Sequence, residues 1–136
     1  MTLICCVDDN MGMTFNKRRQ SRDIEVTNVV INLAKNGKLF INPYSKKLFE
    51  EAGFNDFIIH DDSSLDFPDN SYFFNETAAP SVFEKSADEI ILFRWNRAYP
   101  GDIHFDINLN SGWKLISSKE FAGKSHEKIT MEVYKR

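Results

Sequence analysis

No apolar run in this sequence approaches the ~18 to 20 residues that a membrane-crossing helix needs; the strongest lies around Ile90 to Phe93. The opening Thr2 to Val7 has neither a basic leader nor a cleavage-site pattern, so a cytoplasmic protein is expected. Cysteine is limited to Cys5 and Cys6. Adjacent strand residues point to opposite faces and do not readily bridge, so both are expected to be reduced packing residues. Neither has a cysteine-protease signature around it. Excess positive charge is also missing: the net charge is -3, which removes any global attraction to nucleic acid and confines an anion site to a local patch. Repeats, low-complexity tracts and long Gly/Ser linkers are absent, so a single domain over residues 1–136 is expected. With 42% hydrophobic residues, that domain closes a core without metal or disulfide staples.

Zinc-type spacing is lacking too. His60 with Asp61 and Asp62, His104 with Asp106, and His126 with Glu127 have ligand chemistry but share no local spacing, and no metal is expected. Ser117, Ser118 and Ser125 lie outside any Gly-x-Ser-x-Gly elbow, which argues against a serine hydrolase.

What is present is an α/β pattern. The run from Thr2 to Val7 reads as a buried strand ending in a turn at Asp8-Asp9-Asn10-Met11-Gly12. Val26, Val29, Val30, Leu33 and Ala34 recur at three and four residue spacing and predict a helix, with Ser21 or Asp23 as N-cap and Asn36-Gly37 as C-cap. A strand over Lys38 to Ile41 follows, then a short helix capped by Ser45 and stopping at Gly53. Strands are expected at Asp56 to His60 and Ser71 to Asn75, with a short helix at Ala79 to Lys85 between the latter and the next strand. From Ile90 the pattern is β: Ile90 to Trp95 is apolar, Ile103, Phe105, Ile107 and Leu109 alternate, and Ile129, Met131 and Val133 alternate again. The expected architecture is a mixed, mostly parallel central sheet flanked by helices on both faces, with a β-rich C-terminal third.

This order resembles the dihydrofolate reductase family. Leu3 to Met13 is similar to that family's opening apolar run into Val-Asp-x-Asn-x-Gly-Ile. Ala87 to Leu92, Tyr99-Pro100-Gly101-Asp102 with Phe105, Trp113 to Ser118, and Glu132 to Arg136 follow the family's C-terminal strands in order. The middle departs from it. Where the resemblance implies a Gly-Arg-x-Thr turn for a cofactor phosphate, this chain has Asn42-Pro43-Tyr44-Ser45; Ser45 keeps a hydroxyl, but the arginine is gone and Pro43 has no N–H. Where it implies paired glycines at the pyrophosphate, Asn75-Glu76 stands, and the Glu76 carboxylate would repel a diphosphate. NADPH is therefore disfavoured and no cofactor is expected. The family's catalytic acid falls nearest Val26, with Glu25 one residue away and Asp23 further, which leaves Glu25 and Asp23 as weak catalytic candidates.

A closer resemblance is to short bacterial proteins that share the Asp-Asp-Asn-x-Gly-Met start, the Phe-Asn-x-Arg-Arg-Gln-Ser-Arg-Asp loop, the Arg-Trp-Asn-Arg strand end and the Ser-His-Glu-Lys-Ile-Thr tail. Some carry a ribonuclease Z label. That enzyme's clustered His-x-His-x-Asp-His motif is missing here.

Two features remain as ligand candidates. Lys17, Arg18, Arg19 and Arg22 place four cations in six residues, read either as a solvated loop balanced by Asp8, Asp9 and Asp23 or as a phosphate, nucleotide or RNA site. Arg94, Trp95, Arg97 and Tyr99 interleave cations with aromatics, although Trp95 shares a strand face with Phe93 and so suits the core. The expected ligand-binding set is Lys17, Arg18, Arg19, Arg22, Arg94, Arg97 and Ser45. The expected function is a binding or regulatory protein for a small anionic or nucleotide-type ligand. Its alternatives are a residual oxidoreductase acting on a pteridine, flavin or nucleotide, and RNA binding or processing through the basic loop.

Overall fold

The computed structural model describes residues 1–61 and 64–136. In chain order the elements are β1 (Thr2–Val7), β2 (Gly12–Phe15), β3 (Arg18–Arg19), α1 (Ile24–Leu33) and β4 (Lys38–Ile41). A 3-10 turn at Pro43–Ser45 leads into α2 (Lys46–Glu51), followed by β5 (Ile58–Ile59), β6 (Ser71–Phe74) and a 3-10 helix at Pro80–Ser86. The chain ends with β7 (Glu89–Arg94), β8 (Ile103–His104), β9 (Lys114–Phe121) and β10 (Ile129–Lys135). Seven strands form one sheet in the order β5-β4-β6-β1-β7-β10-β9. From β5 to β7 every pairing is parallel, and β10 and β9 add antiparallel ladders. The sheet is mixed and mostly parallel, as expected.

A parallel strand covered on both faces must be apolar on both, which explains the unbroken run in β1. Leu3, Cys5 and Val7 enter one core with Phe73, Ile90 and Leu92. Ile4 enters the other with Phe74, Ile91 and Phe93, and Cys6 packs against that second core. The two thiols thus point to opposite faces as predicted. Burial pushes both pKa values up, so neither is a ready thiolate.

Val26, Val30 and Ala34 fall on one stripe of the first helical segment and pack on the same core as Phe49 of α2. Helices cover both faces, as expected, and both α-helices lie on this one. The opposite face is covered by the Pro80–Ser86 helix through Phe83 and by irregular chain carrying Phe105, Ile107 and Trp113. Pro80 and Phe83 are the buried residues of that short segment, and a spacing of three suits a 3-10 turn. The alternation over 103–109 holds for burial at its centre but not at Ile103, which is exposed, and it overstates the strand. Phe105 and Ile107 are buried, yet only Ile103–His104 pairs, with β2. Alternation records which side chains point inward, not whether a neighbouring strand is free to pair.

The basic stretch, read as a loop, is a hairpin. Phe15 pairs with Arg18 across β2 and β3, leaving Asn16-Lys17 as a two-residue turn with φ of 52° and 64°. Positive φ at both positions is the type I′ geometry that matches strand twist. Among the described residues no helix is long and apolar enough to cross a membrane.

Candidate functional site

The parallel strands end along one edge of the sheet, and polar residues follow three of these ends: Asp8 after β1, Asn42 after β4, Asn75 and Glu76 after β6. In open α/β sheets this edge is where ligands bind. Asp8 does not neutralise the basic hairpin. Its carboxylate accepts from the backbone N–H of Asn10, Gly12 and Tyr99 at 2.7 to 2.9 Å, and from Gln20 Nε2 at 3.2 Å. Burial alone would raise its pKa, but these donors outweigh that and lower it.

Glu76 organises the first polar cluster. It accepts Arg19 Nε at 2.8 Å and Nη2 at 2.9 Å, a bidentate pair, and Ser45 Oγ at 2.6 Å. The Arg19 guanidinium also lies 4.5 Å over the Tyr44 ring, and the Arg19 backbone N–H donates to the Tyr44 hydroxyl. Two of the expected ligand residues, Arg19 and Ser45, are therefore brought together, but through a carboxylate that occupies both. The sequence placed Glu76 as an obstacle to a diphosphate; it is also the partner that draws Arg19 inward.

The other cations spread out. Arg22 pairs with Glu51 at 3.0 Å on the surface, while Lys17 and Arg18 are exposed. Arg18 and Arg19 line an open groove of about 420 Å³ with Phe15, Gln20, Tyr99 and Pro100. Gln20 Oε1 is buried beside it without a hydrogen-bond partner. Arg94 does not join this group. It projects from the opposite face of the sheet, where it pairs with Glu132 at 2.6 Å and lines a separate groove with Phe105 and Trp113. Alternation along β7 dictates this, because Arg94 shares a face with Leu92 and not with Phe93. Arg97 is exposed, and its carbonyl accepts from Asp9.

The second polar cluster surrounds Asp23. Its carboxylate caps α1 through Glu25 N–H at 3.0 Å, and it accepts Lys124 N–H at 3.0 Å, Ser125 N–H at 2.8 Å and His126 Nδ1 at 2.9 Å. Burial pushes its pKa up, but the hydrogen bonds from His126, Lys124, Ser125 and Glu25 more than reverse this and hold it at about 2. A carboxylate so held is an anion and not a proton donor near neutrality. Glu25, the other catalytic candidate, has an exposed side chain. Gly123 admits the wrapping loop: a Cβ there would meet Asp23 Oδ2 at 2.5 Å. On its other side, the His126 ring places Nε2 2.9 Å from Ser21 Oγ and 3.4 Å from the Tyr99 hydroxyl, and it stacks on Trp95 at 4.7 Å. Trp95 is thus a core residue, as its strand face implied.

In the sequence His126 was weighed only for metal binding, Tyr99 only within the Arg94 to Tyr99 stretch, and Ser21 only as a cap. Ser21 and Asp23 are two residues apart, but His126 lies 103 residues beyond Asp23, and no local spacing joins them. Of the other histidine groups, His60 stacks on Phe67 and His104 is exposed on β8. Asp62 lies outside the described residues. Among the described residues no group of three or more His, Cys, Asp or Glu is placed to hold a metal.

The chain is similar in structure to dihydrofolate reductase from Enterococcus faecalis, solved in complex with NADP(H) and RAB-propyl. The TM-score is 0.70 over 99% of this chain and 95% of that one, at 10% sequence identity. The fold is dihydrofolate reductase-like; at that identity, fold is all the likeness carries. No family model matches the sequence. No curated protein matches it either, and nothing found supports a ribonuclease Z label.

Proposed function

We propose that this chain is a binding protein for a small anionic ligand of nucleotide type, seated in the groove along the basic hairpin. The observation that carries this reading is the groove itself. At about 420 Å³ it falls in the usual range for small-ligand sites, and its walls combine the exposed Arg18 cation with the Phe15 and Tyr99 rings. NADPH is not its ligand on this reading, because Ser45 and Arg19 are both committed to Glu76.

Calorimetric titration with AMP at two salt concentrations tests this. Wild type binds with an affinity that falls as salt rises, and Arg18→Gln weakens binding about tenfold, the equivalent of roughly 1.4 kcal/mol. Replacing Arg18, Arg19 and Arg22 together with Gln abolishes it. If wild type binds neither AMP nor inorganic phosphate, or if the triple variant binds as well, the hairpin is only a solvated surface. A separate NADPH titration should give a Kd weaker than about 10 μM, or roughly -7 kcal/mol.

A further inference from the structure

Asp23, His126 and Ser21 stand in line, and each contact in the line has a direction. Asp23 is an acceptor held by three backbone N–H groups, so His126 Nδ1 must carry the proton that bridges their 2.9 Å contact. In the neutral ring that leaves Nε2 as an acceptor, 2.9 Å from Ser21 Oγ. Trp95 stacks on the imidazole with 23° between the planes and fixes its orientation. His126 and Asp23 are buried, whereas Ser21 is only half-buried and lines a narrow cleft of about 10 Å³ that also holds Arg22. Tyr99 connects the cleft to the neighbouring groove, since it forms part of the groove wall and its hydroxyl reaches Ser21 Oγ at 3.4 Å. The arrangement of nucleophile, base and orienting carboxylate is recognised by geometry and not by chain position.

We infer that Ser21 is a nucleophile activated by His126 and oriented through Asp23, and that the protein hydrolyses small carboxylic esters bearing an anionic group. The substrate's anionic group rests on the groove reading above; the nucleophile does not. Ser21 Oγ forms a bond to the ester carbonyl carbon as its proton passes to His126 Nε2, and the carbonyl π pair moves onto oxygen. The Tyr99 hydroxyl, 3.4 Å from Ser21 Oγ, is placed to donate to that charge. Collapse of the adduct breaks the bond to the alcohol oxygen, which leaves with the proton from Nε2. Water then attacks the acyl-Ser21 carbonyl and gives a proton to His126. The acid departs and Ser21 Oγ regains the proton, so the sum is ester plus water to acid plus alcohol.

Diisopropyl fluorophosphate, followed by intact mass and peptide mapping, tests the nucleophile. Folded wild type should take one adduct, on Ser21, at least about 100-fold faster than the same chain unfolded in urea, a comparison that needs no variant. Ser21→Ala should take none, and His126→Gln should slow labelling about 100-fold while still melting cooperatively. Hydrolysis of 4-nitrophenyl hemisuccinate should exceed that of 4-nitrophenyl acetate. Absence of an adduct, an adduct elsewhere, or equal rates in folded and unfolded chain overturns the nucleophile even if AMP binds. An adduct on Ser21 with no preference for hemisuccinate and no AMP binding upholds the nucleophile and overturns the anionic substrate.

Discussion

Glu76 and Asp23 are both buried carboxylates on the wall of one cleft, yet they are neutralised in different ways. Glu76 takes a guanidinium and a hydroxyl, so its charge is balanced by removing Arg19 from the pool of free cations. Asp23 takes three amide N–H groups and an imidazole, none of which is a permanent cation. The first arrangement closes on itself. The second leaves the far ring nitrogen, His126 Nε2, 2.9 Å from the half-buried Ser21 hydroxyl. Arg94 and Glu132 on the opposite face repeat the first arrangement, with Tyr134 donating to Glu132 at 2.9 Å. Counting charges in the sequence therefore misjudges this surface, because what matters is the kind of partner that each charge finds.

The largest effect should come from removing the strand that follows the His126 loop. Truncation after Lys128 deletes β10, which pairs with both β7 and β9 and buries Ile129 completely. The loss exceeds a typical stability margin of ~5 to 15 kcal/mol, and calorimetry should show no cooperative melting. Next, Asp23→Ala strands several donors and uncaps α1; a cost of about 3 kcal/mol in urea unfolding is expected. Glu76→Gln should cost less, about 2 kcal/mol, because Arg19 is partly exposed and water screens it. It should also strengthen AMP binding by releasing Arg19, an opposite sign that Asp23→Ala cannot give.

Acidity gives a further handle on Asp23. The depressed pKa of Asp23, about 2 against an ordinary 3.8, means that the folded state holds this proton less well than the unfolded chain. Its stabilisation, about 2 kcal/mol, is complete above the unfolded value and disappears as pH falls from about 5 towards 2. Urea midpoints of wild type and Asp23→Asn over that range should converge at the acid end. The smallest effect belongs to the opposite face, where Arg94→Gln should cost about 1 kcal/mol and leave AMP affinity unchanged.

Much of the scaffold was legible. Apolar runs marked β1 and β7, helical spacing marked α1, and alternation marked β10, because each of these is a local record of which side chains must leave water. The N-cap was narrowed to Ser21 or Asp23, and the structure gives that role to Asp23. The hairpin was not read, although Asn16 is a good residue for its turn, because Lys17 is an unusual residue at positive φ.

The amino-acid order by itself determined the layer architecture and the two packing cysteines, since these depend on short-range pattern and residue type. Only the tertiary structure decided the site. Arg19 meets Glu76 across 57 positions, and Asp23 meets His126 across 103. Such pairs form where the parallel strands end and the C-terminal loop folds back over α1, and the energy that selects one partner over another comes from burial that the linear chain does not contain.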